Sequence, residues 1–160
     1  VTDEAVIRPA LREDAPTLAN LRYAFRAALN EPAEAEAAFV ARCTTWMAAR
    51  LAPGTPWRCW LAEVDRAVVG QLWVQLIEKI PNPGPELEHH AYITNVYVDP
   101  AARGGLGEQL LAAAVAFCRE RSVDSVVLWP TDRSRSLYAR SGFATPTDMM
   151  EAVLDTNRHL

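Results

Sequence analysis

The stretch AYITNVYVDPAARGGLGEQLLAAAVAFCRER, residues 91–121, limits the folds open to this chain more than any other. It passes from a hydrophobic strand through a proline-marked exit at Pro100 and a glycine-rich turn into a long apolar helix. Glycines strip side chains from the place where the helix begins, and the first N–H groups of a helix have no acceptor within it. The helix dipole adds positive potential at the same point, so the turn is suited to an anion. The expectation it sets is a phosphate-bearing ligand.

The elements on either side fix the local topology. From Ala91 to Val98 the two alternating sets, Tyr92/Thr94/Val96/Val98 and Ile93/Asn95/Tyr97, are both largely apolar, as in an interior strand covered on both faces. Leu106 to Arg121 predicts a helix with Leu106, Leu110, Ala114 and Phe117 along its inner edge. Val123 to Trp129 is a second compact apolar strand. A helix between two strands is most simply a right-handed parallel crossover, giving a βαβ unit.

Upstream, Ala5 to Arg8 predicts a first strand ending at Pro9. Leu18, Leu21, Phe25 and Leu29 recur at helical spacing, and Asn30 and Pro32 punctuate the passage to a second helix, about Glu34 to Leu51. Its stripe of Phe39, Cys43, Trp46, Met47 and Leu51 predicts core packing, and the two helices could wall a substrate cleft. Trp57 to Val64 and Val68 to Ile80 read as an antiparallel hairpin, with Gly70 marking a bulge or a close backbone approach. The proline-rich run Ile80 to Glu88 is a loop. Downstream, Asp132 or Ser134 caps a short helix carrying Leu137 and Tyr138, Gly142 closes it, and Phe143 with Met149 to Leu154 supplies a last strand region.

At 160 residues the chain is expected to form a single domain, 1–160. A net charge of -4 and a pI near 5.4 argue against a nucleic-acid binder, which usually carries a basic excess. Cys43, Cys59 and Cys118 are too scattered for a zinc site and read as buried reduced thiols; no metal is expected. The acidic N-terminal stretch lacks the pattern of a signal peptide, and no apolar run approaches the roughly 20 residues of a membrane span. A cytoplasmic protein without membrane partners is the expectation.

Two familiar phosphate cradles are excluded. There is no GxxxxGK followed by Ser or Thr, and a dinucleotide pattern begun at Gly105 meets Gly107 and then Leu110 where a third glycine belongs. The residues instead resemble the GCN5-related N-acetyltransferase (GNAT) family. NVYVDPAARGGLG with its helix looks like that family's acetyl-CoA motif; SLYARSGF, residues 136–143, is similar to its tyrosine-then-Gly-Phe segment; VVGQLWVQ, residues 68–75, matches its hairpin strand. With the element order, the likeness covers nearly the whole chain. Two departures stand out. The turn is one residue shorter than the family pattern, which puts Ala102 and not Arg103 in the basic position on strict alignment. Thr131 stands where many relatives carry Asn.

The resemblance implies an α/β (α+β) fold, a mixed, mostly antiparallel central sheet flanked by helices. It also implies an N-acetyltransferase moving an acetyl group from acetyl-CoA to an amine by direct attack. Backbone groups of Val96, Tyr97 and Val98 would hold the pantetheine arm. The amides of Gly104, Gly105, Leu106, Gly107, Glu108 and Gln109, with Arg103 in the turn, would hold the pyrophosphate. A backbone N–H near Val96 would stabilise the oxyanion, and Tyr138 would protonate the departing thiolate or hold its sulfur. Relatives often carry Glu where Tyr92 stands, which leaves Glu88, His89, His90 and Asn95 as candidates for the base, Asn95 by ordering a water.

The acceptor is expected to be an amine on a small molecule, on a peptide or protein N-terminus, or on lysine. Glu31, Glu34, Glu36, Glu86 and Glu88 either draw a cationic acceptor or form solvated faces, and Trp57, Trp60 and Trp73 serve either a homodimer face or a core. Two other functions compete: a non-catalytic acetyl-CoA-binding sensor, and a nucleotide-binding domain of unrelated chemistry.

Overall fold

The computed structural model describes residues 4–102, 104–155, 157 and 158. Among them the strands are β1 (Ala5–Pro9), β2 (Trp57–Val64), β3 (Ala67–Glu78), β4 (His89–Val98) and β5 (Val123–Val127). The helices are α1 (Ala15–Ala27), α2 (Glu36–Arg50), α3 (Leu106–Glu120) and α4 (Arg135–Arg140). The strands form one sheet in the order β1-β2-β3-β4-β5, antiparallel through β4, with β5 added parallel to β4 across α3. The mixed, mostly antiparallel sheet and the βαβ unit are as the sequence led us to expect.

The β2–β3 hairpin turns on Asp65 and Arg66, both at positive φ (50° and 67°), the backbone that matches a two-residue turn to strand twist. Just beyond it, Ala62 pairs with Gly70 and Glu63 with Val68, leaving Val69 as an extra residue. Gly70 fills both roles expected of it. It adjoins this bulge, and a Cβ there would lie 3.0 Å from the Tyr97 carbonyl oxygen and 3.1 Å from Val98 Cγ2. Glycine therefore lets β3 lie close against the end of β4.

Each face of the sheet carries its own core. On one, Leu18 and Ala19 of α1 and Met47 of α2 bury Leu61 and Trp73. On the other, Leu106, Leu110, Leu111, Ala114 and Cys118 of α3 bury Ala62, Leu72, Val74, Ala91 and Ile93. The buried stripe of α3 thus includes Leu111 and Cys118, whereas Phe117 is only partly buried: its ring meets Trp60 edge-on at 5.2 Å and lies under the Arg121 guanidinium. Trp60 and Trp73 are buried on opposite faces, so they belong to the cores and not to a dimer surface. Cys59 and Cys118 are buried, Cys43 is half-buried, all three are free, and burial pushes each thiol pKa up, keeping it protonated.

The last strand region does not form. Residues 149–154 have no ladder partner, and Met150 and Leu154 stand almost fully exposed. The segment is tied to the rest by side chains, with the Trp129 Nε1–H donating to Glu151 at 3.1 Å. A run of apolar residues without a neighbouring strand to share its N–H and C=O groups has no reason to extend.

Gln71 is the fully buried polar side chain among the described residues. Its Nε2–H donates to the Leu18 carbonyl of α1 and its Oε1 accepts from Trp73 Nε1–H, each at 2.9 Å, so it ties α1 to β3 inside an otherwise apolar layer. Replacing Gln71 with Leu strands the indole N–H in a dry core. We expect a loss of about 1–3 kcal/mol in urea unfolding, seen as a lower midpoint with an unchanged slope.

Candidate functional site

The parallel ladder between β4 and β5 ends where β4 still has far to run. The pairs are His89–Val123, His90–Ser125, Ala91–Val126 and Tyr92–Val127, and β4 continues to Val98. The chain after β5 reaches Pro130, which has no N–H to continue a ladder. From Ile93 onward, the edge of β4 that would face β5 is unpaired among the described residues.

β4 also carries a bulge at this point. Trp73 pairs with Thr94 and Gln71 with Tyr97, so Asn95 and Val96 together oppose Leu72. Asn95 adopts φ 53°, in the left-handed region, which Asn tolerates better than most residues. The sequence alternation had put Val96 with Tyr92 and Thr94, and Tyr97 with Ile93. The extra residue exchanges these assignments: Val96 and Val98 join Ile93 in the α3-side core, while Tyr97 stacks on Phe25 of α1 at 5.0 Å.

Beyond the strand, the Asp99 N–H donates to the Val69 carbonyl at 2.7 Å, and Asp99 accepts from the amides of Ala101 and Ala102, each at 2.9 Å. Arg103 lies outside the described residues. Gly104 and Gly105 have φ of 103° and 70°, with nothing within 4 Å of where their Cβ atoms would be. Gly105 is the N-cap of α3 and no side chain caps it. Among the described residues, the N–H groups of Leu106, Gly107 and Glu108 meet no backbone acceptor. Gln109 differs. Its N–H closes the first helical turn on the Gly105 carbonyl at 3.2 Å and its side-chain amide donates to the Gly104 carbonyl, so it braces the turn and is not one of the free donors.

The start of α3 holds α4 in place. The Glu108 carboxylate accepts from Arg140 at 2.7 Å. Thr131 is engaged locally: its N–H donates to Ser134 Oγ at 2.9 Å, capping the turn that leads into α4. Tyr138 sits in the α3-side core with Ile93, Val96 and Val98, 8% exposed, its ring 5.8 Å from Phe143. Burial pushes its phenol pKa up from the usual 10, the Ser134 side chain offsetting part of this.

Asn95 points the other way. Its Oδ1 accepts from Arg22 Nη1 of α1 at 3.2 Å, so Asn95 and Tyr138 flank the open edge of β4 from opposite faces of the sheet. The other candidate bases do not gather here. Glu88 precedes β4, and His89 and His90 start it, about 16 Å or more from Asn95 at ~3.3 Å per residue. His90 Nδ1 instead contacts Ser125 Oγ at 2.8 Å. Of the acidic residues, Glu34 is paired with Arg42, and Glu86 with Lys79 and Asn82. Arg22 is the residue that sequence reading passed over. Its signal was a charge four residues after Leu18, which is fully buried, on the inner side of α1.

An open-edged strand running into a glycine turn and a helix, inside a sheet with one parallel addition, defines an acyltransferase fold of the acyl-CoA type. The chain belongs to the acetyltransferase (GNAT) family, whose model matches residues 20–143. It is similar to the crystal structure of a GCN5-related N-acetyltransferase from Ralstonia eutropha, at 31% identity and TM-score 0.74, covering 94% of this chain and 99% of that one. A predicted acetyltransferase from Clostridium acetobutylicum, solved with acetyl-CoA, is similar at 23% identity and TM-score 0.78 over 94% and 97% of the two chains. An aminoglycoside acetyltransferase from an uncultured soil metagenomic sample, in complex with sisomicin, is similar at 21% identity and TM-score 0.63 over 98% and 96%. No curated protein matches the chain.

The bulge makes a prediction of its own. Asn95→Gly keeps the left-handed backbone accessible, whereas Asn95→Val puts a β-branched residue where φ is positive. Thermal and urea unfolding should find Asn95→Val destabilised by about 1–3 kcal/mol and Asn95→Gly by less.

Proposed function

We propose that residues 1–160 form a single N-acetyltransferase domain that moves an acetyl group from acetyl-CoA to an amine by direct attack. The observation that carries the reading is a coincidence in space. The β4–β5 ladder ends at Tyr92 and Val127, the bulge follows at Asn95, and β4 then leads into a helix start whose first N–H groups have no backbone acceptor among the described residues. A pantetheine arm can lie along the open edge by bonding to the backbone of Val96, Tyr97 and Val98. The amides of Leu106, Gly107 and Glu108 then receive the pyrophosphate, with Gly104 and Gly105 leaving the approach clear. Those donors are backbone groups, so they do not depend on a basic side chain in the shortened turn.

In the reaction the amine nitrogen attacks the thioester carbonyl, the C–N bond forms and the C–S bond breaks. An amine with a pKa of about 10.4 is neutral in only on the order of one molecule in a few thousand at pH 7, so its proton must leave to water or a base. Asn95, on the α1 side, is suited to ordering that water. A backbone N–H near Val96 stabilises the oxyanion. Tyr138, on the α3 side, protonates the thiolate, and its raised pKa keeps the phenol protonated at neutral pH. The two groups lie toward opposite faces of the sheet, so the amine and the departing thiolate would each meet a different group.

Replacing Tyr138 with Phe should lower the transfer rate about 100-fold or more, with the acetyl-CoA thermal shift retained. CoA release against a panel of amines measures the first and melting curves the second. An unchanged rate removes Tyr138 from the mechanism; acetyl-CoA binding without release from any amine makes the chain a sensor; stabilisation by ATP or NAD but not by CoA makes it a nucleotide binder. The rate should rise with pH as the acceptor loses its proton. Because the Tyr138 pKa is raised, loss of its proton should depress the rate only above pH ~10.

A further inference from the structure

Arg22 is a cation without a counter-ion among the described residues. It is half-buried on α1, and no carboxylate among the described residues lies within ion-pair distance of it. Its hydrogen bond is to Asn95 Oδ1, one acceptor for a group with five donors, and its contact with the Phe25 ring, 5.7 Å away, supplies only a weak substitute. Arg8, Arg42, Arg135, Arg140 and Arg158 each meet a carboxylate; the other described arginines do not, and among these Arg22 is set apart by burial deep enough to push its pKa down.

The surroundings add positive charge. Arg22 and Arg26, one helical turn apart, line a cavity of about 310 Å³ between α1 and the start of α2, together with Tyr23, Glu34, Phe39 and Arg42. Glu34 is already neutralised by Arg42 at 2.7 Å, which leaves Arg22 and Arg26 as a like-charged pair. Burial and the neighbouring Arg26 both push the Arg22 pKa down. A bound anion reverses that penalty, and a guanidinium presents two parallel N–H donors to a carboxylate or phosphate. The cavity also adjoins the reaction centre, because Arg22 bonds the bulge residue at the open edge of β4.

We propose that Arg22, supported by Arg26, binds an oxyanion carried by the acetyl acceptor, so that the acceptor is an amine bearing a carboxylate or phosphate group. This rests on the acetyl-transfer reading above. Arg22 is a specificity determinant in this arrangement: it fixes the anionic end of the acceptor on the α1 side and leaves the amine to reach the thioester.

The test uses matched acceptors on the full chain. α-Amino acids are compared with their carboxamides, and phosphoethanolamine with ethanolamine, for the protein with Arg22 and for Arg22→Ala, Arg22→Lys and Arg22→Glu. We expect kcat/KM to favour one anionic member over its neutral partner at least tenfold, the pair that does so separating carboxylate from phosphate. Arg22→Ala should collapse that ratio at least tenfold through KM, Arg22→Lys should restore part of it, and Arg22→Glu should invert it. A ratio near one in the unmodified protein, or a ratio that Arg22→Ala leaves unchanged, overturns the proposal.

Melting curves with the same anionic compounds, in the presence of CoA, give a readout independent of turnover. A shift that Arg22→Ala abolishes supports the anion site even where no amine is acetylated, in which case the transferase reading alone fails. No shift together with no discrimination overturns the site. Retention of the acetyl-CoA thermal shift in each variant establishes that it is folded.

Discussion

One extra residue in β4 sets the geometry on which the rest of the site depends. Without it, the strand would alternate through Val98 and send Tyr97 into the α3-side core and Val96 out toward α1. With Asn95 inserted opposite Leu72, the apolar Val96 and Val98 stay under α3 and Tyr97 reaches the ring of Phe25. A bulge also sharpens local twist. Here it follows directly on the last β4–β5 pair, so the two strands part where the ladder has already stopped. Packing on both faces fixes the register of β4, and the opening therefore has a defined place in the sheet.

The approach to that opening is held by small residues and short bonds. Gly70 lets β3 close on the end of β4, and the Val69 carbonyl, in the neighbouring bulge, receives the Asp99 N–H. Asp99 then turns the chain by accepting from Ala101 and Ala102. Gly104 and Gly105, both at positive φ, complete the reversal, and α3 starts with its N–H groups facing outward. The Glu108–Arg140 ion pair links the start of α3 to α4, and so to the helix that carries Tyr138. The exposed ion pair is a weak contribution to stability. Its effect is on position, since α4 is short and relies on its neighbours to stay in place.

What the sequence made legible follows from where local chemistry decides the outcome. Gly-rich turns, proline boundaries and apolar periodicity are local, and they led correctly to the hairpin, the βαβ crossover and the helix that begins at Leu106. The bulge at Asn95 was not legible, because a strand that is apolar on both faces looks the same in either register. The missing strand at residues 149–154 failed for the complementary reason: its composition suits a strand, but the partner it needs is a property of the whole sheet. Arg22 was hidden in a helix whose apolar stripe accounted for the pattern. Only its contact with Asn95, far away in sequence, marks it out. Asn95 and Tyr138, the two catalytic candidates named from the sequence, lie toward opposite faces of the sheet.

That division of faces assigns different physical work to the two layers. The α3 side is apolar around the open edge, with Ile93, Val96, Val98 and Tyr138 in one cluster, an environment in which a phenol keeps its proton and a thiolate would be poorly solvated. Such a thiolate gains most from a proton donor, which favours Tyr138 for the leaving group over any role toward the amine. The α1 side carries the polar groups, Arg22 and Asn95 at the edge and Gln71 deeper in. Water and a charged acceptor can be accommodated there without entering the apolar cluster. In the proposed reaction the acceptor approaches from this α1 side, where Arg22 would select its anionic end, separately from the backbone amides proposed to hold the cofactor at the start of α3.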